Sequence, residues 1–239
     1  MNTKKVISGV SEIVPIGERM TLGERVYRQL REMLIAGRFA PGEIVTLRTL
    51  ASAIGTSLMP VRDALRQLMV DQAIELLPNR TFRVPIMNRE RFTELRDIRV
   101  ELEGLLAERA AQRITRSELQ QVIHWSEEFA EECNAKKRSP SKLVLYNKNF
   151  HFAIYEAAHM PVLHQIVEGL WTQIGPVLNF DVRQGSERIE RKIPCHHHSK
   201  LCTALQEGQP AAARKALVAD ITTAAEYILA QKQLPEGNP

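Results

Sequence analysis

The sequence predicts a mostly α-helical protein in two parts: an N-terminal winged helix-turn-helix and a C-terminal all-α antiparallel helical bundle. Three observations carry that expectation. Only 5% of the 239 residues are aromatic, while Ala, Leu, Glu, Gln and Arg are abundant, a balance that favours helix over sheet. Near the start, two short helical patterns flank a glycine turn and lead into two β-prone runs. From Asn88 onward apolar residues recur at helical spacing. The expected boundaries are 1–20 for an N-terminal arm, 21–87 for the winged helix, 88–233 for the helical domain and 234–239 for a tail.

Residues 1–20 hold two adjacent lysines but no sustained apolar run, so a mobile arm rather than a signal peptide is expected. The first helix follows, with Leu22, Val26, Leu30, Met33 and Leu34 on one stripe, ending at Gly37. Pro41-Gly42 is a turn, and Thr46 is a natural N-cap for a second helix that carries Leu47, Leu50, Ala51 and Ile54. Gly55 closes it. Ser57 is placed to cap a third helix, LMPVRDALRQLMVDQ, whose Pro60 sits in the first turn, where a missing N–H does no harm. Residues 73–77 and 81–84 then read as a wing hairpin around Pro78-Asn79-Arg80.

Charge is distributed unevenly between the two parts. Residues 1–88 hold 12 Lys/Arg against 8 Asp/Glu, and residues 89–239 hold 20 of each. The whole excess lies in the first third, which points to an anionic partner there, nucleic acid before others. A solvated basic face is the plain alternative. On a helix-turn-helix the third helix would enter the major groove of double-stranded DNA with its N-terminal turn nearest the bases. Arg62 and Arg66 share one face of it at i, i+4. Arg62 suits a bidentate contact to guanine, and Arg66 suits phosphate. Arg48, at the start of the second helix, suits backbone or a base edge; Arg80, at the wing tip, suits the minor groove or a phosphate.

The stretch APGEIVTLRTLASAIGTSLMPVRDALRQLMVDQAIELLPNRTFRV resembles the GntR-family winged helix, whose pattern runs PGE-x-L, LA-x-x-LG-x-S-x-x-PVREALR-x-L and P-N-R-G-x-x-V. The resemblance implies that Arg48, Ser57, Arg62 and Arg80 stand at DNA-contacting positions. The sequence departs from the pattern twice. Leu58 stands where many members have Arg, with Met59 next, so the contact available to these side chains is apolar, to a thymine methyl group. Thr81 replaces the wing glycine, so the tip must turn otherwise, with Asn79 as the expected left-handed residue.

Six helical segments are expected after Asn88. The first is RERFTELRDIRVELEGLLAERAAQRI, with Phe92, Leu95, Ile98, Leu102, Leu105 and Leu106 inward. RSELQQVIHWSEEFAEECNAK and LVLYNKNFHFAIYEAAH follow, then PVLHQIVEGLWTQIGPVLNF, expected to bend near Gly175-Pro176. ERIERKIPCHHHSKLCTALQEG and PAAARKALVADITTAAEYILAQK form a last pair about a tight turn at Gly208-Gln209-Pro210. Asn147 and His151 share a helix face. His198 and Asp220 stand equally far from the tight turn, about 15 Å along each arm, so they are level and free to converge on Asn147 and His151. Two imidazoles, a carboxylate and an amide suit a divalent transition metal. The plain alternative is four polar helix positions facing water or satisfied in the core.

This second part is similar to the FCD ligand-binding domain found behind GntR winged helices, in its six-helix, VanR-type form. The resemblance rests on LRDIRVELEGLLAERAA, the N-x-x-x-H of NKNFH, the H-x-x-x-L-x-x-L of the penultimate helix and the last helix 22 residues on. It implies a metal bound by Asn147, His151, His198 and Asp220. Asp220 departs from the His usual at the last position and Asn147 from the commoner Asp at the first, leaving zinc as the first choice and nickel, manganese or iron open. It further implies a small carboxylate effector, with Arg99 of the R-x-x-L-E element as its partner; an i, i+4 ion pair with Glu103 is the alternative role. His196 and His197 fall in the loop and N-terminal turn before His198. Cys195, His198 and Cys202 share a helix face, which is more often packing than a thiolate site.

The sequence therefore leads to a cytoplasmic, DNA-binding transcription regulator, a homodimer on a pseudo-palindromic operator with a small-carboxylate effector. The three cysteines fit reduced thiols, and no stretch approaches the ~18 apolar residues of a membrane span. The alternative readings are a regulator that senses the metal itself, and a metal-dependent enzyme using His151, His198 and Asp220. The enzyme lacks an adjacent general base and leaves the basic N-terminal third unexplained.

Overall fold

The computed structural model describes residues 20–78, 80–184 and 186–237. The expected arm at 1–20 and the tip residue Asn79 therefore fall almost wholly outside the described residues. The first part is α1 (Leu22–Ile35), β1 (Ile44–Val45), α2 (Leu47–Ile54), α3 (Leu58–Val70), β2 (Glu75–Leu76) and β3 (Phe82–Arg83). Thr21 and Glu24 form a reciprocal capping box that starts α1. The Thr46 hydroxyl accepts from the Thr49 N–H at 3.1 Å to start α2. α1 and α3 pack through Val26, Leu30, Val61 and Leu65, all essentially buried.

Three details differ from expectation. The wing is a three-stranded sheet in the order β1-β3-β2, with Ile44 opposite Arg83 and Val45 opposite Phe82. β1 has only two residues, too few for alternation to show in sequence. Ser57 occupies the N-cap of α3, yet its side chain makes no capping bond. At the tip, Arg80 is left-handed (φ 62°), which the sequence had not indicated, while the expectation for Asn79 lies outside the described residues.

The second part is α4 (Arg89–Arg113), α5 (Arg116–Asn134), α6 (Pro140–Ala157), α7 (Pro161–Gln184), α8 (Glu187–Glu190), α9 (Ile193–Gln206) and α10 (Pro210–Ala230). α4 lies along α10, α5 against α6 and α9, and α9 folds back on α10. α7 is one continuous helix with Pro176 inside it. The segment expected as a single penultimate helix is broken at Lys192 (φ 55°), which separates the one-turn α8 from α9. α9 thus begins before His196 and His197, which lie within it. The buried stripe of α4 also differs: Ile98 is exposed, whereas Arg99 and Glu103 are inside with Phe92, Leu95 and Leu106. Leu102 packs against the core as expected, so the charged pair departs from the apolar pattern at Ile98 alone.

The two parts meet where α1 ends. Ile35, the last residue of α1, is fully buried in the main core of the helical domain. Arg31 of α1 makes a bidentate ion pair with Glu168 of α7, at 2.9 and 3.3 Å, and Lys148 of α6 pairs with Glu32. Among the described residues, no helix is long and apolar enough to cross a membrane.

Candidate functional site

Two groups of side chains stand out, one exposed and one buried. α3 buries Val61, Ala64, Leu65 and Leu68. That leaves Met59, Arg62 and Arg66 on its exposed side, beside Ser57 and Leu58 at its start. Met59 is 60% exposed. Arg48, in the first turn of α2, and Arg80, at the wing tip, are exposed as well. Among the described residues, no ion pair or side-chain hydrogen bond involves these four guanidinium groups, whereas Arg31, Arg83, Arg96, Arg99 and Arg214 are all paired with acids. Uncompensated guanidinium groups around a helix N-terminus form an anion-seeking surface.

The buried group lies where α6, α9 and α10 converge. His151, His198 and Asp220 offer ligand atoms that all lie within 4.8 Å of one another, and all three are buried. His151 Nε2 is 3.2 Å from Asp220 Oδ2, and His198 Nε2 is 3.9 Å from the same oxygen. Asn147 lines the same cavity one turn before His151. Spacing about the α9–α10 turn had predicted this convergence, and the hairpin keeps the two arms in register.

The donors fit a metal. Both ring nitrogens of His198 and Oδ1 of Asp220 are buried without a hydrogen-bond partner among the described residues. Buried polar atoms in a native fold are normally satisfied, and one His198 nitrogen together with the Asp220 carboxylate is a donor set that suits a cation. Burial, above all, pushes the His198 pKa down to about 3, keeping the imidazole neutral and its lone pair available. Burial opposes ionisation of Asp220, but the His151 hydrogen bond and the neighbouring imidazoles and Arg188 outweigh it and hold the carboxyl well below the usual carboxylate range. Cys195 and Cys202 stand outside the donor group, and all three cysteines are free thiols. Cys195 packs instead beside the cluster that holds Cys133.

Behind the donors lies a network centred on Glu103. Its carboxylate accepts from Arg99 Nε at 2.5 Å and Nη2 at 3.1 Å, from Trp171 Nε1 at 3.2 Å, and from the Tyr155 hydroxyl. With its proton donated to Glu103, the Tyr155 oxygen is left to accept from His151 Nδ1, 3.2 Å away. With Nδ1–H toward Tyr155, Nε2 would present its lone pair to a cation; without a cation, the 3.2 Å approach to Asp220 Oδ2 calls for a proton on Nε2. The ion pair weighed against Arg99's effector role is thus present. The guanidinium also packs on the Trp171 ring at 4.9 Å, and its bonds to Glu103 use Nε and Nη2.

The cavity is small, about 40 Å³. Arg99, Asn147, His151, Trp171, Arg188 and Asp220 are among its walls. Arg188, on α8, was missed by sequence reasoning; it lies in the charged run ERIERK, where nothing local separates a buried arginine from its exposed neighbours. Glu103 was legible only as an i+4 partner of Arg99, not as a hub.

Comparison with known proteins decides the family. Residues 22–84 match the bacterial regulatory proteins of the gntR family, and residues 94–223, more than half the chain, match the FCD domain. The chain belongs to the GntR family and carries an FCD domain. GntR proteins are regulators of transcription rather than enzymes, and the exposed arginines lie on the DNA-binding part. The chain is 29% identical to the HTH-type transcriptional regulator McbR of Escherichia coli (strain K12) over 163 residues, 68% of this chain and 73% of that protein. It is 26% identical to the HTH-type transcriptional repressor GlaR of the same organism over 148 residues, 61% of this chain and 67% of that one. The solved structure of E. coli McbR/YncC shares the fold, with a TM-score of 0.82 over 90% of this chain and 100% of that one at 24% identity.

Proposed function

We propose that this GntR-family regulator is a cytoplasmic repressor, a homodimer on a pseudo-palindromic operator, whose DNA affinity is set by a small carboxylate bound beside a divalent metal. The metal would be held by Asn147, His151, His198 and Asp220, with zinc the first choice and nickel, manganese or iron the others. The observation that carries the reading is the buried convergence of His151, His198 and Asp220, with orphaned lone pairs, on one cavity wall. A metal there supplies a Lewis-acidic point for a ligand oxygen. Arg99 Nη1, held in place by Glu103, supports a charge-assisted bond to the effector's carboxylate, and the limited free space restricts the effector to a few heavy atoms. The repressor assignment is supported by the name of the relative GlaR.

On the DNA side, Arg62 would read a guanine, Met59 a thymine methyl, and Arg48, Ser57, Arg66 and Arg80 would grip backbone or flanking groove. An effector that binds one placement of the winged helices better than another shifts operator affinity by that difference. The commitment of Arg99 to Glu103 and the narrow cavity favour a second reading, in which the metal itself is the signal.

Metal content of the purified full-length protein tests the centre. About one equivalent per chain is expected, and His151→Ala combined with His198→Ala should strip it; a double variant with unchanged content would remove the site. Operator affinity at fixed salt, with and without chelator and then with a panel of small carboxylates, separates the two readings. A response to chelator alone identifies metal sensing.

A further inference from the structure

Asn179 belongs at once to the cavity and to the DNA-binding part. On α7 it lines the same cavity as His151 and Asp220. It is also buried, and its Nδ2 donates to the carbonyl of Ile35. Ile35 is the last residue of α1, and its carbonyl is one of those a helix leaves without an internal partner. Buried as it is, that oxygen depends on the Asn179 amide.

Two glycines make the contact close. Gly175, one turn before Asn179, lies so near α1 that a Cβ there would stand 2.7 Å from Ile35 Cα and 2.8 Å from the Ile35 oxygen. Gly37, just past α1, is left-handed (φ 58°), and a Cβ on it would be 2.6 Å from Asn179 Cβ. Side chains at either position would push α1 and α7 apart. The joint is tight, and the Asn179 amide bonds across it. A carboxamide has an oxygen and two N–H donors. One donor is committed to Ile35, and among the described residues the Asn179 oxygen has no hydrogen-bond partner.

We infer that Asn179 is the positioning residue that couples the cavity to the winged helix. A ligand in the cavity that engages the Asn179 amide alters its hold on the Ile35 carbonyl, and with it the seat of α1. α1 packs on α3, the helix that carries Arg62, so a change at its C-terminus reaches the DNA-reading surface through one rigid element. The inference rests on the reading that the cavity is a regulatory site.

The test compares full-length wild type with Asn179→Ala and Asn179→Asp, neither of which can donate to Ile35. Each is checked for folding by circular dichroism and for metal content after loading with Zn²⁺. Two measurements follow. The first is affinity for a DNA fragment recovered by in vitro selection, at fixed salt, with Zn²⁺ or with chelator. The second is amide hydrogen exchange over residues 30–40, also with Zn²⁺ or with chelator. In the wild type, Zn²⁺ is expected to change exchange in this segment and operator affinity by about 5-fold or more; in both variants Zn²⁺ still binds, but both responses collapse toward unity. If Zn²⁺ leaves wild-type operator affinity unchanged, the regulatory reading of the metal fails, while the exchange measurement still decides the role of Asn179. Equal Zn²⁺-dependent protection in wild type and variants, or none in the wild type, overturns the coupling.

Discussion

Arginine serves opposite ends in the two halves of this protein. In the winged helix Arg48, Arg62, Arg66 and Arg80 stand in water with no acid beside them among the described residues. In the helical domain Arg99 is almost completely buried and bound to Glu103, against Trp171. An exposed, unpaired guanidinium retains its hydration until a phosphate or base displaces it, so its free energy is spent on a partner. A buried one must be paired within the fold, and what it then offers is direction, a donor held at a fixed angle on a cavity wall. Charge alone does not separate the two roles; burial and pairing do.

The largest expected effect breaks the exposed side of the comparison. On the proposed reading, Arg62→Ala removes a base contact worth about 1–3 kcal/mol at each half-site. Specific operator binding should fall toward the non-specific level while the dimer persists, as read by titration of selected against scrambled DNA. Retained discrimination would mean that α3 is not the reading helix. On the buried side, Glu103→Ala leaves Arg99 without its carboxylate and deprives Tyr155 and Trp171 of their acceptor. Breaking a buried pair in this way destabilises by about 3–5 kcal/mol, measurable as a fall in the urea midpoint with the slope unchanged. Loss below ~1 kcal/mol would show that solvent reaches the pair.

A third expectation concerns pH in the metal-free protein. His198 has a folded pKa of about 3, against ~6.5 in an unfolded chain. The unfolded state therefore binds the proton first, so stability falls as pH drops below ~6.5 and continues to fall until the folded pKa is reached. By pH 5 this amounts to about 2 kcal/mol. Asp220 does not confuse the window, because its depressed folded pKa acts only below ~3.9, the unfolded value. Unfolding curves with chelator at pH 7 and pH 5 measure the loss, and His198→Asn should abolish most of it. An unchanged slope in that variant would move the effect to other groups.

What the sequence made legible follows the same division. The helix-turn-helix was readable because its cues are local: Thr46 as a cap, Gly55 as a stop, and two short apolar stripes. The convergence of His151, His198 and Asp220 was readable by arithmetic, since α9 and α10 pivot on one tight turn and equal distances from it are level. What failed to show is tertiary. Lys192 breaks a helix by taking a left-handed conformation that lysine does not advertise, and this brings Arg188 to the cavity wall. Arg99 and Glu103 displace Ile98 from the buried stripe because they satisfy one another, a pairing that an apolar pattern does not register. Asn179 matters only because α1 ends against it.

The smallest expected effect sharpens the comparison most. If Arg66 and Arg80 touch phosphate, each releases condensed counterions on binding. Replacing either by alanine should lower the slope of log affinity against log salt by roughly 1, weakening selected and scrambled DNA alike. Arg62→Ala should instead lower affinity mainly for selected DNA, because its loss removes base readout. Arg99→Lys, a change within the buried set, should leave the salt slope where it was while altering any response to carboxylates. A variant at Arg66 that changed discrimination but not the slope would reassign it from backbone to base, and the exposed set would then read sequence at two turns of α3 rather than one.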